Sequence, residues 1–395
     1  MIRTLFVING LGTGGAERSL AEMLPGLVER DVHPIVVCFY RRRDGVEEEV
    51  IRSGCDVRFL AAKHTFGRAR ALRRIIRQER PDIVHTMIFE ANIAGRLAGV
   101  GSGALIVSSL VNMPYTEARR GDPNIGTTRM RIVRGVDRIT ARSLTTHFHA
   151  ITNAVADRAV SDLGLSPERI TVVERGRDQV RLGTLSAERR SAARRSLGLH
   201  DLDRVLLTAG RLDYQKGHIY LLQAMASLSQ RSDRPILLVA GRDGAATEKL
   251  RDAADGLPAD SVRFLGHRDD LPELLAAADV FVFPSLWEGL GGVLIEALAL
   301  SIPIVASDIP PIREVVDGGA AGLLVPSMDP EAIARAVSTL LDDAALRARL
   351  ATLGRRIFEE RFTLQRSVEG MVRMYSNLLG RGARVSASAE PKRSI

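Results

Sequence analysis

Two glutamates stand eight positions apart in the stretch "PSLWEGLGGVLIEALALSIPIVAS": Glu288 and Glu296, with Gly289, Gly291 and Gly292 between them. The apolar run "VFVFP" before them reads as a strand, and the residues from Gly292 onward read as a helix. Glycines at that junction let backbone N–H groups approach a ligand, and a helix N-terminus favours an anion. Glu288 then sits in the loop at the strand end, and Glu296 lies a turn or more into the helix. Carboxylates at those two places can accept hydrogen bonds from hydroxyls at the two ends of one ligand, with a phosphate between them. The ordinary alternative is one solvated acid in a loop and one on a helix face. For Glu296 that alternative is poor, because a carboxylate buried without a partner in an apolar helix costs several kcal/mol.

A second group of residues points the same way. In "TAGRLDYQKG", Arg211 follows a strand directly and Lys216 comes five residues later, before Gly217. Both cations project from the C-terminal end of a strand, where parallel sheets bind their ligands. A diphosphate there would accept charge-assisted hydrogen bonds worth about 1.5–3 kcal/mol each.

These groups need a scaffold, and the 395-residue chain alternates apolar runs with helix-length patterns throughout. Strands are predicted at 3–9, 33–40, 56–60, 82–86, 104–109, 145–150 and 169–173. The pattern restarts near residue 204 with "RVLLTAG", "PILLVAG", "VRFLG", "VFVFP", "PIVAS" and "GLLVP". Strands alternating with helices imply parallel, doubly wound sheets. The reading is an α/β protein of two Rossmann-like domains, 1–183 and 184–362, facing across a deep cleft. A helix at 363–379 is expected to pack back on the first domain, and the small, polar tail 381–395 is expected to be disordered.

Composition narrows the partners. The formal net charge is +8, all of it carried by residues 1–183. That bias favours an anionic partner such as a phospholipid surface, a phosphorylated acceptor or nucleic acid. Nucleic acid is set aside, because aromatics make up 4% of the chain and no binding motif appears. The basic stretch "FGRARALRRIIRQER" (66–80) puts Ala69, Leu72, Ile75 and Ile76 on one helical face and Arg70, Arg73, Arg74 and Arg77 largely elsewhere. It reads either as a solvated surface helix or as a patch resting on anionic lipid, to which "FYRRRDG" would add. No apolar run reaches the roughly 18 residues of a membrane span, and the richest, 290–306, is broken by Glu296 and Pro303. Two cysteines, Cys38 and Cys55, read as buried thiols in a reducing compartment. The expected location is the cytoplasm, with the inner face of the membrane as a peripheral site.

The run "NGLGTGGAER" after the first strand spells G-x-G-x-x-G with Gly10, Gly12 and Gly15. With Arg41 to Arg43 at the end of the second strand, it permits an NADP-dependent oxidoreductase. That alternative leaves Glu288, Glu296, Arg211 and Lys216 unexplained.

"GRLDYQKG" followed by "EGLGGVLIE" resembles the retaining glycosyltransferases of family 4, which have the GT-B fold, and the likeness runs along nearly the whole chain. "GGAER", "FLGHRDDLPELLAAADVFVFPS" and "ASDIPPIREVV" fit it, and "ERGRD" at 174–178 stands where that family has an Asn-Gly loop. The resemblance implies a nucleotide-diphosphate-sugar donor as substrate, with neither cofactor nor metal required. It implies that Arg211 and Lys216 bind the donor diphosphate, that Glu288 contacts the sugar hydroxyls and that Glu296 holds the ribose. Gly291, Gly292 and Val293 would meet sugar or phosphate through their backbone, Gly266, His267 and Arg268 would lie near the base, and Gly14 and Gly15 would approach the diphosphate from the opposite domain. The implied acceptor is a glycan, a lipid-linked glycan or a small molecule, in cell-envelope or exopolysaccharide synthesis. A nucleotide-sugar epimerase on the same fold is a second alternative, for which no acid/base constellation is visible.

The chain departs from the family at two places. Val111 in "SSLVNMPY" and Met87 in "VHTMIFEAN" stand where many members carry histidine. His85, Asn112 and Tyr115 remain as acceptor-side candidates. Asp201-Leu202-Asp203 spells D-x-D but precedes a strand, and is read as accidental rather than a metal site. The oligomeric state is left open.

Overall fold

The computed structural model describes residues 1–123 and 126–380, so the tail at 381–395 lies outside the described residues. The first seven strands are β1 (Ile2–Ile8), β2 (Val32–Cys38), β3 (Asp56–Phe59), β4 (Ile83–Met87), β5 (Leu105–Leu110), β6 (His147–Ala150) and β7 (Ile170–Val172). They form one parallel sheet in the order β3-β2-β1-β4-β5-β6-β7. The next six are β8 (Val205–Ala209), β9 (Ile236–Ala240), β10 (Val262–Gly266), β11 (Val280–Phe283), β12 (Ile304–Ser307) and β13 (Leu323–Val325). They form a second parallel sheet, β10-β9-β8-β11-β12-β13. Helices cover both faces, so central strands are buried on both sides and read as continuous apolar runs such as "LFVI" and "VFVF".

Strand order reverses between β1 and β4 in the first sheet and between β8 and β11 in the second. In open parallel sheets ligands bind beyond the strand ends at such reversals. The glycine loop follows β1, Arg211 follows β8, and Glu288 follows β11. The topology therefore turns three separate stretches of sequence toward one cleft.

The helix Leu364–Leu378 belongs to the first sheet's core. Its Val368, Met371, Met374 and Tyr375 pack with Leu20, Leu24 and Leu27 of helix Gly15–Val28. The chain thus crosses between the sheets twice, and the crossings are stitched together. Arg177 N donates to Phe362 O at 2.8 Å, Leu364 N donates to Arg177 O at 2.9 Å, and Arg361 pairs with Glu174.

Candidate active site

A cleft of about 1490 Å³ runs between the two sheets. Thr13, Gly14 and Gly15 line it from the first domain, whereas Gly10 and Gly12 do not. Gly14 caps helix Gly15–Val28 in extended conformation, so the two glycines present bare backbone at a helix N-terminus.

Opposite them, the Lys216 ammonium donates to Glu288 Oε1 at 2.5 Å and lies 5.2 Å from the centre of the Phe283 ring. Glu288 is buried. The loop holding Lys216 is fixed from both sides. Gln215 Nε2 donates to Trp287 O at 2.7 Å, and Leu286 N donates to Gln215 O at 2.8 Å. Gly217 must adopt φ +63°, and a Cβ there would lie 2.0 Å from Pro284 O. That crowding is why glycine follows the lysine. Arg211 is two-thirds exposed, pairs with Asp213 on its own loop, and faces the cleft.

Gly289 presses against the first domain. A Cβ there would meet Val111 O at 2.2 Å, and Thr152 Oγ1 donates to Gly289 O at 3.0 Å. At this position the first domain meets the loop after β11 through the Val111 backbone, so a carbonyl makes the contact. Gly291, Gly292 and Val293 line the cleft at the start of helix Gly292–Ala299. His267 and Arg268 also line it, paired with Asp269 and Asp270. Gly266 ends β10 behind them and is absent from the lining, so it shapes the turn rather than touching a ligand.

Glu296 has a partner that the sequence did not reveal. Arg177, almost wholly buried, donates from Nε to Glu296 Oε1 at 2.8 Å and from Nη1 to Ser19 Oγ at 3.2 Å. Glu22 lies 3.7 Å from the same guanidinium and accepts from Arg181 Nη1 at 2.7 Å. Burial alone would depress the Arg177 guanidinium, but Glu296 and Glu22 outweigh it and raise its pKa. Burial raises the Glu22 carboxyl above the usual carboxylate range, against the pull of Arg177 and Arg181. Arg175 is the other residue missed. It lines the cleft, donates from Nη1 to Gly15 O at 3.2 Å, and keeps a buried Nη2 without a hydrogen-bond partner. Burial, and then Arg177, push its guanidinium down to about 10.

The acceptor-side candidates fare unevenly. His85 does not reach the cleft. It is buried, its Nδ1 lies 2.6 Å from the Tyr375 hydroxyl and its Nε2 lies 2.7 Å from Ser109 Oγ. It points to the sheet face that helix Leu364–Leu378 covers, and burial, then His149 and Arg175, hold it well below the ordinary histidine range. Tyr115 lines the cleft, but its hydroxyl is taken, donating to Asp137 at 2.9 Å. Asn112 lines the cleft, with its Oδ1 accepting from Met113 N at 2.8 Å. Met87 is a core residue. Asp201 and Asp203 bind Ser191 and the His200 backbone, away from the cleft.

Two facing Rossmann-like sheets, with cations and helix N-termini turned into the cleft between them, make up the GT-B architecture. The family model described as glycosyl transferases group 1 matches residues 189–357, and the one described as glycosyltransferase family 4 matches residues 13–181. A D-inositol 3-phosphate glycosyltransferase of Salinispora arenicola is 31% identical over 315 residues, which cover 74% of this chain and 68% of that protein. A UDP-Gal:alpha-D-GlcNAc-diphosphoundecaprenol alpha-1,3-galactosyltransferase of Escherichia coli is 26% identical over 284 residues, 70% of each chain. Among solved structures, Anabaena HepE in complex with UDP-glucose superposes with a TM-score of 0.82 at 22% identity, covering 95% of this chain and 100% of that one. The chain belongs to the group 1 glycosyltransferases and is a hexosyl-transferring enzyme. The oxidoreductase reading of the glycine loop is not favoured.

Proposed function

We propose that the enzyme moves a hexosyl group, with retention of anomeric configuration, from a nucleotide-diphosphate-sugar to a hydroxyl of a glycan, lipid-linked or small-molecule acceptor in envelope or exopolysaccharide synthesis. One observation carries this reading: the Lys216–Glu288 pair beside the N-terminus of helix Gly292–Ala299, facing Gly14 and Gly15 across the cleft. Breaking the anomeric C–O bond leaves negative charge on the diphosphate. Lys216, Arg211 and the N–H groups of Gly292 and Val293 are placed to stabilise it, and such preorganised donors usually supply the largest catalytic term. When donor binds, Lys216 turns to phosphate and Glu288 to the sugar hydroxyls. Glu296 accepts from the ribose hydroxyls while Arg177 holds its other side. The acceptor oxygen bonds to the anomeric carbon on the face the diphosphate leaves, and its proton passes to a released phosphate oxygen. No protein nucleophile and no metal enter this scheme, so Glu288 and Glu296 are not the acid and nucleophile of a glycosidase.

The test is a screen of UDP-, GDP- and ADP-sugars for release of free nucleotide, followed by NMR of the product anomer. Lys216→Ala and Glu288→Ala are each expected to lower turnover by at least about 100-fold while the chain still folds. Near-parental turnover in both variants, or an inverted product, refutes the assignment.

A further inference from the structure

The loop "ERGRD" at 174–178 carries four charged side chains, and the fold satisfies three of them. Glu174 pairs with Arg361, Asp178 accepts from Val180 N at 2.8 Å, and Arg177 bonds Glu296 with Glu22 at 3.7 Å. Arg175 forms no ion pair among the described residues. Its Nη1 donates to Gly15 O at 3.2 Å, and its buried Nη2 has no hydrogen-bond partner. The side chain lines the cleft over the strand ends of the first sheet, close enough for its charge to be felt at His85 of β4 and His149 of β6, both held low first by burial. Its strongest charged neighbour is another cation, Arg177, and Glu17 attracts it less.

A cation taken out of water without a counter-charge destabilises the fold, and groups left in that state cluster where a ligand completes them. Two residues on, Arg177 shows how the same loop treats a structural arginine: it is given carboxylates. The backbone beside Arg175 is open as well. Gly15 is helical, and a Cβ built on it would meet nothing within 4 Å. Neither conformation nor protein packing calls for glycine there, and glycine weakens a helix relative to alanine. Bare backbone next to Arg175 suits the close approach of a ligand. Helix Gly15–Val28 also begins without a side-chain cap, so its first N–H groups face an anion unopposed. The donor diphosphate already has Lys216, Arg211 and the start of helix Gly292–Ala299, all from the second sheet. Arg175 belongs to the first, which carries the whole excess of positive charge.

We propose that Arg175, with the open N-terminus of helix Gly15–Val28, binds an anionic group, phosphate or carboxylate, carried by the acceptor. The guanidinium nitrogen that the protein leaves unpaired meets an oxygen of that group, and Gly15 lets it come close. Arg175 is then a specificity residue: it favours acceptors with a negative charge near the reacting hydroxyl over neutral ones. The anion site stands on the geometry of the loop and the helix. That its ligand is the acceptor rests on the transfer reading.

Inorganic phosphate is titrated calorimetrically into the full chain, with sodium chloride of equal ionic strength as the control. K216A serves as the background, since it removes a cation of the donor grip. K216A is expected to bind phosphate, and K216A/R175N to bind it at least about tenfold more weakly. R175N alone, in phosphate-free buffer, is expected to melt no lower than wild type, because it removes an uncompensated cation; a structural arginine would not behave so. UDP, GDP and ADP are titrated into wild type and R175N to find the source of the anion, and R175N is expected to match wild type with each. Equal phosphate affinity with and without Arg175, or a midpoint of R175N more than about 3 °C below wild type, overturns the site. A tenfold loss of nucleoside-diphosphate affinity in R175N gives the anion to the donor and overturns the acceptor assignment. Wild type that binds none of the three nucleotides refutes the transfer reading, and the acceptor assignment with it, while the phosphate titration still decides the site.

Discussion

Replacing Arg177 by methionine tests how the two halves of the enzyme are held in register. The change keeps much of the side-chain bulk and removes the cation. Arg177 bonds Glu296 of the second sheet's helix and Ser19 of the glycine-loop helix, with Glu22 3.7 Å away. Removing one partner of a buried ion pair costs about 3–5 kcal/mol, because the other charge stays buried. In a domain of this size 1 kcal/mol moves the thermal midpoint by about 2–4 °C, so a loss of roughly 6–12 °C is expected at pH 7 even from the lower figure. The loss should depend on pH. Burial already raises the folded pKa of Glu22 above its unfolded value. Such a group contributes stability below the unfolded pKa and loses it as pH rises through the folded one. Without Arg177 the folded pKa rises further. The deficit of R177M should therefore shrink on the acid side, below about pH 5, and widen toward pH 8. R177M/E296Q removes one orphaned charge and should regain part of the loss. The assay is differential scanning fluorimetry of wild type and both variants across that pH range. If R177M lies within about 1 °C of wild type at pH 7, or its deficit is flat with pH, the pair carries no such energy and the reasoning fails.

Two further outcomes follow from the same geometry. His149 and His218 are buried, and desolvation lowers both to about 4, while His85 is held low for the same first reason. Groups depressed in the folded state stabilise it above their unfolded pKa and lose that contribution as pH falls, so His149 and His218 should each cost on the order of 2 kcal/mol at pH 5 relative to pH 7.5, with His85 adding in the same direction; a urea midpoint unchanged between those pH values would contradict this. Gly217→Ala forces a Cβ against Pro284 O at a φ of +63°, and should lower both the thermal midpoint and donor turnover, the latter more than tenfold because Lys216 is displaced; full activity in that variant would show that the loop does not need its present shape.

The meeting of Lys216 with Glu288 in one cleft was readable because both sit in short contiguous runs at strand ends. Lys216 and Glu288 each follow a strand whose apolar pattern is plain, and two reversals of strand order do the rest. The pairing of Arg177 with Glu296 was not readable, since the partners are 119 positions apart and the pairing depends on how two sheets dock. "ERGRD" stands where the family has an Asn-Gly loop, yet nothing local says where an arginine's guanidinium will end up. His85 failed for a different reason. A residue near a strand end can face either side of the sheet, and here the side is occupied by a helix that enters 290 residues later through Tyr375. Strand positions themselves were legible within a residue or two, as expected where burial on both faces leaves no polar alternation to confuse the ends. The basic helix at 66–80 was legible as amphipathic, because Ala69, Leu72 and Ile76 recur at helical spacing and are the positions the fold buries.

The paired crossings near Arg177 and Phe362 set how the enzyme can move. Two adjacent chain segments joined by mutual backbone hydrogen bonds form a double hinge. A single strand would let one lobe swivel in any direction, whereas a double one favours opening and closing about a line through both segments and resists twisting and sliding. Such a hinge keeps Gly14 and Gly15 in line with the opposite wall of the cleft. The arrangement also makes the order of the chain misleading as a guide to dissection: a cut after residue 183 leaves the first lobe without its last helix, and a single nick there leaves the lobes tethered through the second crossing.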